Sequence, residues 1–318
     1  MMPKLEILDL KTYYFVGPSI IKAVNGVYLK VNSGECIGIA GESGCGKSTL
    51  ALSILKLVRP PGFIVGGKIL FNGTDIIPLS FNEMQKLRWR KIAMVFQGAL
   101  NALNPVYTIE EQIVEAITTH MKYGKSEARR KAGELLELVG LSRANLRNYP
   151  HELSGGMRQR ALIAMALSCD PELLIADEPT TALDVVTQAQ ILMLLKDLQR
   201  QRNLTLIVIS HDLSILAQIC DRIAIMYAGK IVEEANIRDI FYKPAHPYTY
   251  ALINAFPSVK GPKKGLFALS GEPPDMSKLP SGCCFHPRCP KVQKICYEVE
   301  PKLIEIDKEH YVACHLYT

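Results

Sequence analysis

Gly41-Glu42-Ser43-Gly44-Cys45-Gly46-Lys47-Ser48-Thr49 is the stretch that decides how this chain folds. An apolar run, Cys36-Ile37-Gly38-Ile39-Ala40, precedes it, and a helical apolar pattern over residues 48–57 follows it. Strand, glycine-rich loop and helix therefore succeed one another. Glycines at these positions let successive backbone N–H groups turn inward, and the helix start adds a positive dipole end. The spacing G-x-x-x-x-G-K-[ST] is that of a loop cradling the phosphates of a nucleotide. Ser43, Gly44, Cys45, Gly46, Lys47, Ser48 and Thr49 are accordingly candidate nucleotide contacts. Lys47 is expected at the β and γ oxygens of ATP, and the Ser48 hydroxyl on Mg²⁺. The alternative, a chance glycine-rich turn, does not explain the strand and helix on either side.

A second stretch supplies carboxylates. Leu173-Leu174-Ile175-Ala176-Asp177-Glu178 reads as a buried strand delivering two acids at its C-terminal end. Asp177 is expected to hold Mg²⁺, and Glu178 to orient and deprotonate an attacking water. The competing reading is two surface acids opening a turn before Pro179.

Outward from these motifs, residues 5–30 alternate apolar and polar types, with Gly17-Pro18 and Asn25-Gly26 as turn signals, which predicts short antiparallel strands. Residues 60–92 read as further turn-rich β structure, and residues 109–168 as mostly helical, with breaks at Tyr149-Pro150 and Ser154-Gly155-Gly156. Apolar strands at 173–176 and 204–209 flank a helix at 185–202. Alternating strands and helices predict a largely parallel sheet covered on both faces. After Ala255 the composition shifts toward glycine and proline (Pro257, Gly261, Pro262, Gly265, Gly271, Pro273, Pro274), so a boundary is expected near 245–260.

The bulk composition is that of a globular protein, 48% apolar and 21% charged. A net charge of +6 is too small to imply nucleic-acid binding by itself. The first residues lack the basic-then-apolar pattern of a signal peptide, and no run of 18 apolar residues occurs. The expectation is a cytosolic or membrane-peripheral protein.

Leu153-Ser154-Gly155-Gly156-Met157-Arg158-Gln159-Arg160 places a serine at a helix start with two glycines behind it, offering a hydroxyl, bare N–H groups and a positive helix end to an anion. This segment resembles the signature motif of ABC-transporter ATPases. The resemblance implies an α/β P-loop NTPase (RecA-like) ABC cassette with an antiparallel β subdomain, a helical subdomain at about 100–168 and a cysteine-rich C-terminal extension. It divides the chain into a nucleotide-binding domain, 1–255, and an extension, 256–318. It further implies that Ser154, Gly155 and Gly156 meet the γ-phosphate bound by an opposing cassette, so that two subunits sandwich two ATPs. Gln97 matches the loop glutamine that contacts Mg²⁺ and the attacking water, Asp184 the loop through which cassettes communicate, and His211 the switch histidine beside the catalytic glutamate. Tyr14, with Tyr13 as the alternative, is expected to stack on adenine.

Asn104-Pro105, residues 176–185, Met226-Tyr227-Ala228-Gly229 and His246-Pro247-Tyr248-Thr249 resemble the ATPase subunits of oligopeptide and dipeptide importers. That resemblance implies a second similar ATPase subunit, identical or not, two transmembrane permease subunits and an extracellular solute-binding protein, at the cytoplasmic face of the membrane. Gly98-Ala99 departs from the group's usual Asp-Pro at a segment facing the membrane subunit. Relatives of the group also move oligosaccharides or nickel. The rival of another class, a soluble ABC ATPase acting on nucleic acid, would carry tandem cassettes, a coiled-coil insertion or strongly basic linkers, none of which is visible here. No nucleic-acid partner is expected.

Five of the nine cysteines crowd into residues 283–314. Cys283, Cys289, Cys296 and Cys314 follow C-x5-C-x6-C-x17-C. Four thiolates on an irregular loop suit an iron–sulfur cluster or Zn²⁺, and the spacing is looser than the paired cysteines of zinc knuckles. In the peptide-importer group this tail resembles a segment that binds a 4Fe–4S cluster. Free core thiols and disulfides are the alternatives, and Cys284 and His286 are spare ligands.

Overall fold

A computed structural model of the chain describes residues 3–98, 102–255 and 271–318. Ala99, Pro257, Gly261, Pro262 and Gly265, together with the start of the expected extension at 256, lie outside the described residues. The chain divides into two compact units, each discontinuous in sequence. The signature unit gathers the chain up to Leu5, Val31–Cys36 and Leu70–Ile209, and the phosphate-loop unit gathers Glu6–Lys30, Ile37–Ile69 and Ser210–Thr318.

In chain order the elements begin β1 (Leu5–Val16), β2 (Ser19–Val31), β3 (Cys36–Ala40), α1 (Lys47–Ile54), β4 (Gly62–Phe71), β5 (Thr74–Asp75), α2 (Phe81–Leu87) and β6 (Ile92–Val95). Next come α3 (Ile109–His120), α4 (Lys125–Leu138), α5 (Gly155–Ala166), β7 (Leu173–Asp177), α6 (Val185–Arg202) and β8 (Thr205–Ser210). The described elements close with α7 (Leu213–Ile219), β9 (Arg222–Tyr227), β10 (Lys230–Asn236), α8 (Ile237–Tyr242), α9 (Pro247–Ala255), β11 (Ile304–Asp307) and β12 (His310–Val312).

In the signature unit β6, β7 and β8 pair in parallel, Ile92 opposite Leu173 and Leu173 opposite Thr205. Every residue of β7 and β8 is buried, the pattern of strands covered on both faces. Helices α3, α5 and α6 of this unit start on side-chain caps that satisfy otherwise orphaned N–H groups. Thr108 and Glu111 form a reciprocal capping box on α3, Ser154 caps α5 and Asp184 caps α6. Helix α2 stands where the sequence predicts only turn-rich β structure. Ser80 and Glu83 box its N-terminus, and a helix of seven residues is too short for apolar periodicity to reveal.

In the phosphate-loop unit β3 pairs in parallel with β9, Ile37 opposite Arg222. Antiparallel pairing then runs from β9 to β10, β10 to β12 and β12 to β11. The cysteine-bearing tail is thereby tied to β10 through Glu233 opposite Val312 and Glu234 opposite Tyr311. Strands β2, β1 and β4 lie side by side in that order. Asn25-Gly26 does not turn the chain. Gly26, at φ +84°, sits inside the 13-residue β2, and the Asn25 N–H donates to Gly229 O at 2.8 Å. A positive-φ glycine within a strand marks an irregularity of the ladder rather than its end. Among the described residues no helix is long and apolar enough to cross a membrane.

Candidate functional site

The phosphate loop leaves β3, which is wholly buried, and enters α1. Gly41 and Gly46 are required by close approach. A Cβ on Gly41 would stand 2.2 Å from Met226 O, and one on Gly46, at φ +107°, 1.9 Å from Ala23 O. Gly46 is the N-cap of α1 and no side chain caps that helix, so its first N–H groups are left for another acceptor. Lys47 is buried, its Nζ donating to Gly41 O at 2.7 Å and Glu42 O at 2.9 Å. Ser43, Gly44 and Ser48 form the exposed rim of the loop. Cys45 lies beneath it, and burial pushes its thiol pKa up, against the pull of Lys47. The donors and the single cation fit a polyphosphate.

Strand alternation sends Tyr14 and Tyr13 to opposite faces of β1. The Tyr14 hydroxyl stands 3.5 Å from Thr49 Oγ1 on α1, while Tyr13 donates to Asn25 Oδ1 at 2.7 Å. In the same unit His211 is exposed directly after β8. Ser210 Oγ on one side of it accepts from the Asp212 N–H at 3.0 Å, and Asp212 caps α7.

The signature unit assembles the carboxylate site. Asp177 ends β7 buried, and Glu178 follows at φ +46°, a left-handed conformation uncommon for a side chain of this size. The Glu178 N–H donates to Ile209 O at 2.9 Å, holding the turn. Gln97 Nε2 and Thr181 Oγ1 each donate to Glu178 Oε2 at 2.8 Å. The sequence marks Thr181 only as the start of the communicating loop Thr181-Ala182-Leu183-Asp184, not as a donor to Glu178. A hydroxyl three residues beyond the acid was the available signal.

Ser154 Oγ accepts from the Met157 N–H at 3.3 Å, and Ser154 and Gly155 are exposed at the start of α5. Gly155 lies against Leu183, and a Cβ on Gly156 would come within 2.5 Å of Thr187 Cγ2. The signature glycines thus let α5 seat closely on the loop that carries Asp184. Asp184 accepts from Thr187 N at 2.9 Å and Thr187 Oγ1 at 2.6 Å, bonds that hold its carboxyl below the usual range.

No disulfide joins any of the cysteines. Among the described residues no group of three or more His, Cys, Asp or Glu side chains stands where it could hold a metal ion. Yet Cys283 is within electrostatic reach of Cys296 and Cys314, and Cys289 of Cys296 and Cys314. Burial pushes the Cys283 thiol up to about 12. The backbone N–H groups of Phe285, Lys291 and Leu316, each two residues beyond a cysteine, bond to the sulfurs of Cys283, Cys289 and Cys314. The spare ligands face other partners. His286 Nδ1 lies 3.0 Å from Cys283 O, and Cys284 has Lys230 and Glu300 as its neighbours in charge.

Fold and site together define a nucleotide-hydrolysing cassette of the P-loop type. The family pattern described as ABC transporter matches residues 24–181, and that of the oligopeptide/dipeptide transporter C-terminal region matches residues 232–296. A probable peptide ABC transporter ATP-binding protein, y4tR of Sinorhizobium fredii, is 47% identical, over 98% of this chain and 94% of its own length. The oligopeptide transport ATP-binding protein AppD of Bacillus subtilis is 45% identical, over 100% and 98%. Among solved structures, the dimeric MJ0796, a bacterial ABC transporter cassette, superposes with a TM-score of 0.66 at 32% identity, covering 74% of this chain and 99% of that one. The chain belongs to the ATP-binding proteins of ABC transporters, in their oligopeptide/dipeptide group, and is an ATPase of that family.

Proposed function

We propose that this chain hydrolyses ATP to drive the import of dipeptides and oligopeptides, as one of a pair of cassettes docked on membrane permeases. One observation carries the reading. The Gln97–Glu178–Thr181 constellation occurs in the same chain as a C-terminal region named for oligopeptide/dipeptide transporters. Lys47 and the α1 start would hold the β and γ phosphates, Ser48, Asp177 and Gln97 would be the ligands of Mg²⁺, and the bound ion would neutralise charge developing on the phosphates. Glu178 takes the proton of the attacking water, kept in place by Gln97 and Thr181, with His211 as a further contact at the γ-phosphate. Tyr14, beside α1, is better placed than Tyr13 to meet the adenine. Ser154 and Gly155, exposed at the α5 start, and the half-buried Gly156 serve the nucleotide held by the facing cassette, and Asp184 orders the loop beneath them. Exposed Phe96, Val106 and Tyr107, near Gln97 in sequence, suit an apolar permease segment at the cytoplasmic face.

Cys283, Cys289, Cys296 and Cys314 are proposed to hold a 4Fe–4S cluster. Their electrostatic coupling and the three N–H···S bonds support this, because such bonds stabilise thiolate sulfur. A lone Zn²⁺, held by four thiolates at about 2.3 Å, is the alternative occupant. Bound, the cluster would cross-link the tail and supply a one-electron redox centre.

Reconstitution of the chain with its permeases and solute-binding protein in proteoliposomes tests the reading. Dipeptides or oligopeptides should stimulate ATP hydrolysis and accumulate in an ATP-dependent manner. Stimulation by nickel or oligosaccharides instead would overturn the peptide assignment, and ATP hydrolysis stimulated only by nucleic acid would overturn the transport one.

A further inference from the structure

Glu42 is the second residue of the phosphate loop, and all three of its polar functions are engaged. Its carboxylate receives the guanidinium fork of Arg288, Nη1 to Oε2 at 2.7 Å and Nη2 to Oε1 at 2.9 Å. Its N–H donates to Tyr248 Oη at 3.0 Å. Its carbonyl accepts from Lys47 Nζ at 2.9 Å. One residue therefore joins the cysteine tail on one side to the phosphate-binding lysine on the other.

The tail's grip is well built. Arg288 closes the short turn His286–Arg288, and the next residue is Cys289. Its side chain is only 5% exposed, lying 5.9 Å over the Tyr227 ring. Tyr227, Tyr248 and Phe285 pack together at centroid distances of 4.6 to 5.4 Å, so tail and α9 residues share one aromatic cluster with β9. Two parallel charge-assisted bonds fix an angle as well as a distance, which a lysine at the same position cannot do.

We propose that Arg288 is a positioning residue for the nucleotide site: through Glu42 it sets the backbone of the phosphate loop and hence the place of the Lys47 amine. The claim rests on the nucleotide reading of that loop and does not require the tail to hold a cluster. A tail anchored for stability alone would need no contact inside the loop. Here the anchor falls on the residue whose carbonyl receives Lys47.

The test uses the full chain and a fluorescent ATP analogue with Mg²⁺, comparing the parent with R288Q, R288K, E42Q and the double variant E42Q/R288Q. Thermal unfolding is followed in parallel. Each single variant should weaken analogue binding about tenfold, as substitutions along a coupling path do. The double variant should bind no more weakly than the weaker single, because the two residues act as one unit. Parental affinity in both R288Q and R288K, whatever their unfolding midpoints, would reduce Arg288 to an anchor and overturn the proposal. Losses that multiply in the double variant would overturn it as well. If R288Q does not fold, R288K and E42Q decide the matter. A parent that fails to bind the analogue would sink the nucleotide reading instead, so the two failures are distinguishable.

Discussion

Gln97 Nε2 and Glu178 Oε2 are joined by a 2.8 Å hydrogen bond across 81 residues of chain, and Thr181 donates to the same oxygen. Two neutral donors on one carboxylate oxygen fix the orientation of the group. This arrangement suits the role of base proposed for Glu178 at the end of β7. Glu178→Gln keeps the shape and loses the proton acceptor. Steady-state phosphate release should fall by about 10²- to 10⁴-fold, the usual worth of a general base, while ATP-analogue binding stays within about twofold of the parent. The variant should also accumulate as an ATP-dependent dimer by light scattering. Parental turnover would place the base elsewhere.

Thr181→Val removes one of the two donors while keeping the branched shape. Turnover should drop by roughly tenfold with little change in nucleotide affinity, since only the aim of the carboxylate is altered. A loss confined to KM would mean that Thr181 serves binding instead.

Ser154 has two separable duties. As the N-cap of α5 its hydroxyl accepts from the Met157 N–H, and Ser154→Ala should cost about 1 kcal/mol of stability. Ser154→Asp keeps the cap but places a negative charge where a phosphate is expected. It should unfold like the parent in urea while its ATP-driven dimerisation and turnover collapse. Normal turnover in Ser154→Asp would show that this helix start is a capped terminus and no more.

The residues that were legible in sequence are those whose chemistry is local. The phosphate loop and the Asp177-Glu178 strand announce themselves through short contiguous patterns, and β7 and β8 through unbroken apolar runs. Asn25-Gly26 misleads because the dipeptide specifies a left-handed glycine, which β2 accommodates without turning. Which of Tyr13 and Tyr14 lies beside α1 is set by the packing of β1, which no local pattern records. Arg288 escapes notice because its partner lies 246 residues away, and no periodicity links the two.

The cysteine tail predicts its own spectroscopy. Aerobically intact protein should absorb broadly near ~400 nm and carry iron, through thiolate-to-iron charge transfer. Cys289→Ser should bleach this band. A colourless protein with stoichiometric zinc would replace the cluster with a single ion, and one with neither metal would leave the sulfurs as core thiols.

His246 should make the tail's attachment acid-sensitive. The ring is 1% exposed, and burial lowers its pKa to about 4, with Glu233 pulling the other way. Its Nδ1 accepts from the Tyr248 N–H at 3.0 Å, a bond that only the unprotonated nitrogen can make. Nearby, the buried Glu233 receives the N–H groups of Ala245 and His246 and pairs with His310 Nε2, tying β10 and β12 to the chain entering α9. Because the folded pKa lies below the unfolded value of about 6.5, both states are neutral above that pH and the full stability is present. As pH falls toward 4 the unfolded chain takes up a proton that the folded chain refuses, and on the order of 3 kcal/mol is lost. Below about 4 this group contributes no further change. His246→Asn retains a side-chain acceptor for the Tyr248 N–H but does not titrate. The difference in urea stability between parent and variant should therefore shift in the variant's favour between pH 7 and pH 4. A difference independent of pH would mean that the folded ring titrates at about 6.5 like the unfolded one, and a shift in the parent's favour would mean that the folded ring is protonated.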